Sequence, residues 1–174
     1  MRLRLVSLLT VAVATVVAVP PAVAGSTGGR RSMTLQARSA NAGPVVQQPP
    51  ACDATGQCIG TYSASSTMSG DLTGTLAVEA VVHLVFGNTT VSQANLQLFS
   101  GTVEGCGTGT FVIQLPLQPI SLVAPSVSTG VSIVKGSGTG DLTGISGTVV
   151  EGFTPDPAGG GTGDFTFKIR CHSH

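Results

Sequence analysis

The chain has no tryptophan, one tyrosine (Tyr62) and six phenylalanines, so aromatics make up only 4% of its 174 residues. Single-strand nucleic-acid binders and many sugar binders stack their ligands on aromatic rings, and a chain this poor in rings suits neither. Charge is scarce too: 9% of residues are charged, eight of each sign, and Lys135 and Lys168 are the only lysines. No basic field exists to hold a phosphate backbone, so no nucleic-acid partner is expected. The glycines Gly136, Gly138, Gly140 and Gly144 fit neither G-x-G-x-x-G nor G-x-x-x-x-G-K-[ST], and no helix is read after them to receive a phosphate. A G-x-S-x-G elbow is also lacking, and histidine is limited to His83, His172 and His174. His172 and His174 end the chain as H-x-H, two ligands on a terminus, which makes a poor metal site. Neither a cofactor nor a metal is expected.

What is present begins with an address. Arg2 and Arg4 precede a charge-free, mostly apolar run from Leu5 to Val19, then Pro20, Pro21 and the small residues Ala22-Val23-Ala24. This is the pattern of a secretory signal cleaved after Ala24, and the run is short of the ~20 residues that cross a bilayer. Cleavage leaves six Lys+Arg against eight Asp+Glu, a mildly acidic mature chain with no second span. Residues 25–50, rich in Gly, Ser, Gln and Pro, read as a flexible leader, and 51–174 as the folded domain. An exported chain with four cysteines, Cys52, Cys58, Cys106 and Cys171, is expected to hold two disulfides; the spacing lacks the paired C-x2-C of zinc sites.

Beyond Cys52 the pattern has period two. From Thr75 to Phe86 every even position is apolar: Leu76, Val78, Ala80, Val82, Leu84 and Phe86. At the end of the chain Phe165, Phe167, Ile169 and Cys171 alternate with Asp164, Thr166, Lys168 and Arg170. Alternation of this kind marks strands with one buried and one wet face. Further strands are predicted at 59–68, 89–103, 108–115, 130–135 and 145–153, bounded by Gly, Pro or Asn. Asn88-Thr89-Thr90 is a formal glycosylation sequon that reads more simply as a hairpin turn. Seven short strands with turn residues between them predict an all-β antiparallel barrel or sandwich.

Two internal echoes stand out. Gly70-Asp71-Leu72-Thr73-Gly74 recurs as Gly140-Asp141-Leu142-Thr143-Gly144, and Ser100-Gly-Thr-Val-Glu-Gly105 recurs with one added residue over 146–152. Asp beside Gly supplies the side-chain hydrogen bonds and positive φ of tight turns, so repeated turn chemistry is the expected meaning. The run from Gly136 to Gly147, with 69–74 and 99–113 upstream, resembles a bacterial family of uncharacterised function that shares the allene oxide cyclase type of β-barrel, related in shape to dirigent proteins. The resemblance covers about residues 59–170 and implies a small antiparallel barrel of about eight strands with an apolar interior, without implying an activity.

A barrel closed by antiparallel pairs needs an even number of strands, so an eighth is required. The candidates are 33–37 and the proline-hemmed 120–123. If no strand is inserted after Leu115, Cys106 and Cys171 share a rim and Cys52 is left with Cys58; if 120–123 is a full strand, Cys171 falls at the rim of Cys58 instead. The first pairing is the expected one.

Three residues are candidates for ligand contact. Tyr62 can offer a hydroxyl inside the barrel, and Glu79 and His83, four apart on one strand, share a face. That face is opposite the apolar positions, which makes it the outer one unless it lines a cavity. The expected function is a secreted, non-enzymatic barrel holding a small apolar ligand. The alternatives are an isomerase or cyclase working on an unsaturated apolar substrate, and a cell-surface interaction or assembly module.

Overall fold

The computed structural model describes residues 29–41, 46–47, 50–85, 90–156 and 160–172; the expected signal, 1–24, lies outside them. The strands are β1 (Arg30–Asn41), β2 (Val46–Gln47), β3 (Ala51–Cys52), β4 (Gln57–Gly70), β5 (Leu72–Val85), β6 (Thr90–Val103), β7 (Gly107–Ser121), β8 (Ser126–Ile133), β9 (Ser146–Pro155) and β10 (Gly161–His172). Successive strands from β4 to β10 pair as antiparallel neighbours, and β1 pairs with both β10 and β4. The eight long strands therefore close into an all-β antiparallel barrel, and β2 and β3 add short pairings to β4.

The eighth strand is the one centred on 33–37, not 120–123. Its alternation is real: Leu35, Ala37 and Ser39 are buried while Gln36, Arg38 and Ala40 face out. This corrects the flexible-leader reading of 25–50 for residues 30–41. The polar outward half of β1 hides the signal in composition, but Arg31↔Cys171 through Ala40↔Thr162 tie it to β10. Ile120, in turn, belongs to β7, paired with Val91. With no extra strand after Leu115, the disulfides are Cys106–Cys171 and Cys52–Cys58.

One end of the barrel is a closed apolar base. Phe99, Phe111 and Phe167 are fully buried and Phe165 nearly so, with rings in contact at centroid distances of 4.9 to 6.5 Å. The glycine run between β8 and β9 folds over this end through a 3-10 turn, η1 (Gly140–Leu142), and inserts Leu142 and Ile145 as a plug. Gly109 passes so close to the Thr139 carbonyl that a Cβ there has no space.

The repeated Gly-Asp-Leu-Thr-Gly performs the same task twice. Gly70 and Gly140 take φ of 102° and 60°, which L side chains avoid. The following carboxylate then accepts a backbone N–H from a neighbouring strand: Gln36 N–H donates to Asp71 Oδ2 at 2.7 Å, and Thr108 N–H to Asp141 Oδ2 at 3.0 Å. Leu72 and Leu142 drop into the base behind them.

Candidate functional site

Toward the other end of the barrel the inward positions change from apolar to polar without a change of parity. On β1 the series Met33, Leu35, Ala37 continues as Ser39 and Asn41; on β6 the series Val103, Gly101, Phe99 continues as Gln97, Asn95 and Gln93. On β9 Val149 is followed by Glu151 and Phe153, and on β4 Met68 is followed, backward, by Ser66, Ala64 and Tyr62. The continuations of these series, from Ser39, Gln97, Glu151 and Ser66 onward, line a chamber of about 190 Å³ that also touches Leu76, Leu115, Ile120 and Phe165.

A break in the barrel wall shapes this end. Between Asn95↔Leu115 and Gln93↔Gln118, three residues of β7 advance against two of β6, a bulge at Pro116-Leu117. Between Ser128↔Glu151 and Val131↔Val149, β8 bulges in the same way at Thr129-Gly130. The two bulges face each other, with Pro116 Cγ 3.5 Å from the place a Gly130 Cβ would take. Pro116 has no N–H to give, and the described β7–β8 ladder is reduced to Ile113↔Ile133 and Gln114↔Ser132. Past the break, Gln118 bridges the gap by accepting the Thr129 N–H through Oε1 at 3.0 Å. Each bulge also flips parity, which is why Ser128 and Ile120 turn inward on even positions.

The chemistry centres on Glu151. Gln97 Nε2 donates to Glu151 Oε2 at 3.0 Å and to Asn95 Oδ1 at 3.2 Å. Burial pushes the Glu151 carboxyl up to about 7, against the pull of the Gln97 hydrogen bond. Tyr62 stands in the same chamber, where burial raises its phenol to about 12, the Gln93 hydrogen bond opposes that rise, and the Glu151 charge adds to it. Gln97 is 1% exposed, yet its Oε1 has no hydrogen-bond partner among the described residues. A buried orphan acceptor costs about 1–3 kcal/mol, so it calls for a physical reason.

Of the three residues singled out from sequence, Tyr62 lines the chamber and the other two do not. Glu79 and His83 occupy odd positions of β5, whose even positions Leu72, Leu76 and Ala80 are buried, and Glu79 is exposed. The residues missed were Glu151, Gln97 and Asn95. Their signal was parity: each falls on the buried register of its own strand, as polar residues two and four positions from Phe99, or two from Val149. The apolar interior implied by the resemblance holds for the base alone. Among the described residues no His, Cys, Asp and Glu cluster suited to a metal occurs, and no helix is long and apolar enough to cross a membrane.

No curated protein matches the chain. Among solved structures, a crystal structure of a protein of unknown function from Shewanella oneidensis MR-1 aligns with 83% of this chain and 99% of its own at a TM-score of 0.52 and 19% identity, a likeness of fold. That protein is described as a member of the DUF3224 family, whose model matches residues 39–167 here. The barrel described above, from the second half of β1 to Phe167 of β10, is thus a DUF3224 domain, and the chain belongs to that family of proteins of unknown function.

Proposed function

We propose that this protein is a secreted, non-enzymatic barrel that binds a small molecule in the polar-lined chamber. The observation that carries this reading is the buried Gln97 amide, whose Oε1 has no partner among the described residues and lies beside a carboxyl raised to about 7. Natural interiors leave few such atoms unsatisfied, and pockets with a few convergent polar groups on an apolar wall are where ligands bind. At about 190 Å³ the chamber is smaller than a drug-sized pocket and suits a compact ligand. The expected ligand is accordingly amphipathic rather than wholly apolar. Export is supported by the signal pattern of residues 1–24 and by two disulfides, which persist in oxidising compartments.

A second reading, the isomerase or cyclase that goes with an allene oxide cyclase type of barrel, is favoured by one observation. Glu151 and Tyr62 are two titratable groups in one chamber, and a carboxyl near 7 can both give and take a proton at neutral pH. Against it, the described lining holds no Arg, Lys or His to receive the carboxylate of an oxidised fatty acid. Native mass spectrometry of protein purified from its own culture medium separates the readings. A retained small molecule, lost in the Gln97→Leu variant, is the expected result. Turnover of unsaturated fatty-acid epoxides by the wild-type protein, abolished in Glu151→Gln, overturns it in favour of the second.

A further inference from the structure

Resting on the binding reading, we infer that the chamber selects a small organic ammonium ion, seated on the Glu151 carboxylate and on Gln97 Oε1, which has no partner among the described residues, with its carbon body against Phe153 and Phe165. Three observations on the lining point the same way. The first is charge: Glu151 is the only formally charged side chain among the described lining residues. An anion entering this space meets repulsion and no described cation, whereas a cation supplies the counter-charge that a half-buried carboxylate lacks.

The second is the balance of donors and acceptors. The Gln97 Nε2 group is already given to Asn95 and Glu151, which leaves Gln97 Oε1 free of any described partner and Glu151 with a single described side-chain donor. A carboxylate accepts at about four lone-pair positions, so acceptor capacity is in surplus where Gln97 meets Glu151. An ammonium group brings donors and no acceptor, and matches that surplus. The third is the wall: Tyr62, Phe153 and Phe165 bring three aromatic rings to one chamber in a chain with seven in all, and ring faces attract cations.

Glu151 titrates in company that leaves it alone near neutrality. Facing it are Tyr62 from β4, Gln97 from β6, Ser128 from β8 and Phe165 from β10, of which Tyr62 alone can ionise, and only near 12. Asp164, Lys168 and Arg170 of β10 are exposed on the opposite face. Binding of an amine that stays protonated between pH 6 and pH 8 should therefore follow the ionisation of Glu151.

The test uses the mature full-length protein and three probes of one shape: benzylamine, benzyl alcohol and benzoate, titrated by calorimetry and by amide chemical-shift mapping at pH 6 and pH 8. Benzylamine is expected to shift chamber amides and to bind about tenfold tighter at pH 8 than at pH 6, the ratio set by a carboxyl that ionises near 7. In Glu151→Gln the pH dependence should vanish and affinity at pH 8 should fall at least tenfold, while Glu79→Gln on the outer face should bind as wild type. Benzyl alcohol or benzoate binding as tightly as benzylamine in the chamber overturns the ammonium inference and leaves the binding reading standing. Absence of binding by all three overturns the ammonium inference, and a bare mass for the culture-purified protein overturns the binding reading separately. If Glu151→Gln does not fold, the comparison of three probes on wild type still decides.

Discussion

The two ends of this barrel are made from the same strands, yet they are built to opposite rules. At the base, Phe99, Phe111, Phe165 and Phe167 pack ring against ring, Leu142 and Ile145 plug the opening, and Cys106–Cys171 ties the rim. At the other end the inward register carries Ser39, Tyr62, Gln97 and Glu151, and the wall is interrupted where Pro116 meets Gly130. The contrast teaches that the dry, ring-packed end is where truncation should cost most, and that the polar end is a place where a folded chain tolerates an amide oxygen with no described partner and a carboxyl of raised pKa. Binding surfaces are commonly carried by such low-stability regions on a rigid support.

The comparison can be broken first by truncation. Phe111→Ala in the base should cost about 3–5 kcal/mol in chemical denaturation, since a fully buried ring leaves a cavity. Phe153→Ala in the chamber wall, where the ring is half-buried and beside open space, should cost about 1–2 kcal/mol. Equal losses would remove the distinction between the two ends.

The disulfides offer a second contrast. Cys106–Cys171 closes a separation of 65 residues and Cys52–Cys58 one of 6. Chain entropy alone then gives about 4 kcal/mol for the long loop and about 2 for the short one. Replacing each pair by serine and comparing urea midpoints checks the order; a larger loss from the short loop would contradict it.

A third prediction concerns pH. Glu151 has its carboxyl raised from 4.5 unfolded to about 7 folded, so the folded state holds the proton more tightly. Below 4.5 both states are protonated and no penalty exists. As pH rises from 4.5 to about 7 the unfolded chain ionises first, and the folded state loses stability; above 7 the loss is complete and constant. Denaturation followed across that window should show this fall in wild type and lose it in Glu151→Gln. The smallest effect is expected at the repeated turns, where Asp71→Ala and Asp141→Ala each remove one carboxylate acceptor of a backbone N–H and should cost about 1–2 kcal/mol.

The fold was legible because alternation is loud when one face is oily. Strands β5 and β10 announce themselves through Leu76 to Ala80 and Phe165 to Cys171. Strand β1 was quieter, as its inward side carries Met33, Leu35, Ala37, Ser39 and Asn41, a register that turns polar halfway along. That same turn hid the chamber. Polar residues in a strand resemble its wet face, so Gln97 and Glu151 give no inward signal by composition although they share parity with Phe99 and Val149. The bulges were illegible for a different reason: Pro116 and Gly130 each suggest an interruption, but only their meeting across two strands opens the wall. Glu79 and His83 carry chemistry on one face of β5, and their register places them outside the chamber.

The direct test of the division between dry base and polar chamber is the carboxyl carbon of Glu151, followed by carbon-13 NMR through a pH titration of the folded protein. A midpoint near 7 is the result expected of a carboxyl held inside the chamber. A midpoint near 4.5, the value of a solvated glutamate, would mean that water reaches it freely and that no chamber of this kind exists.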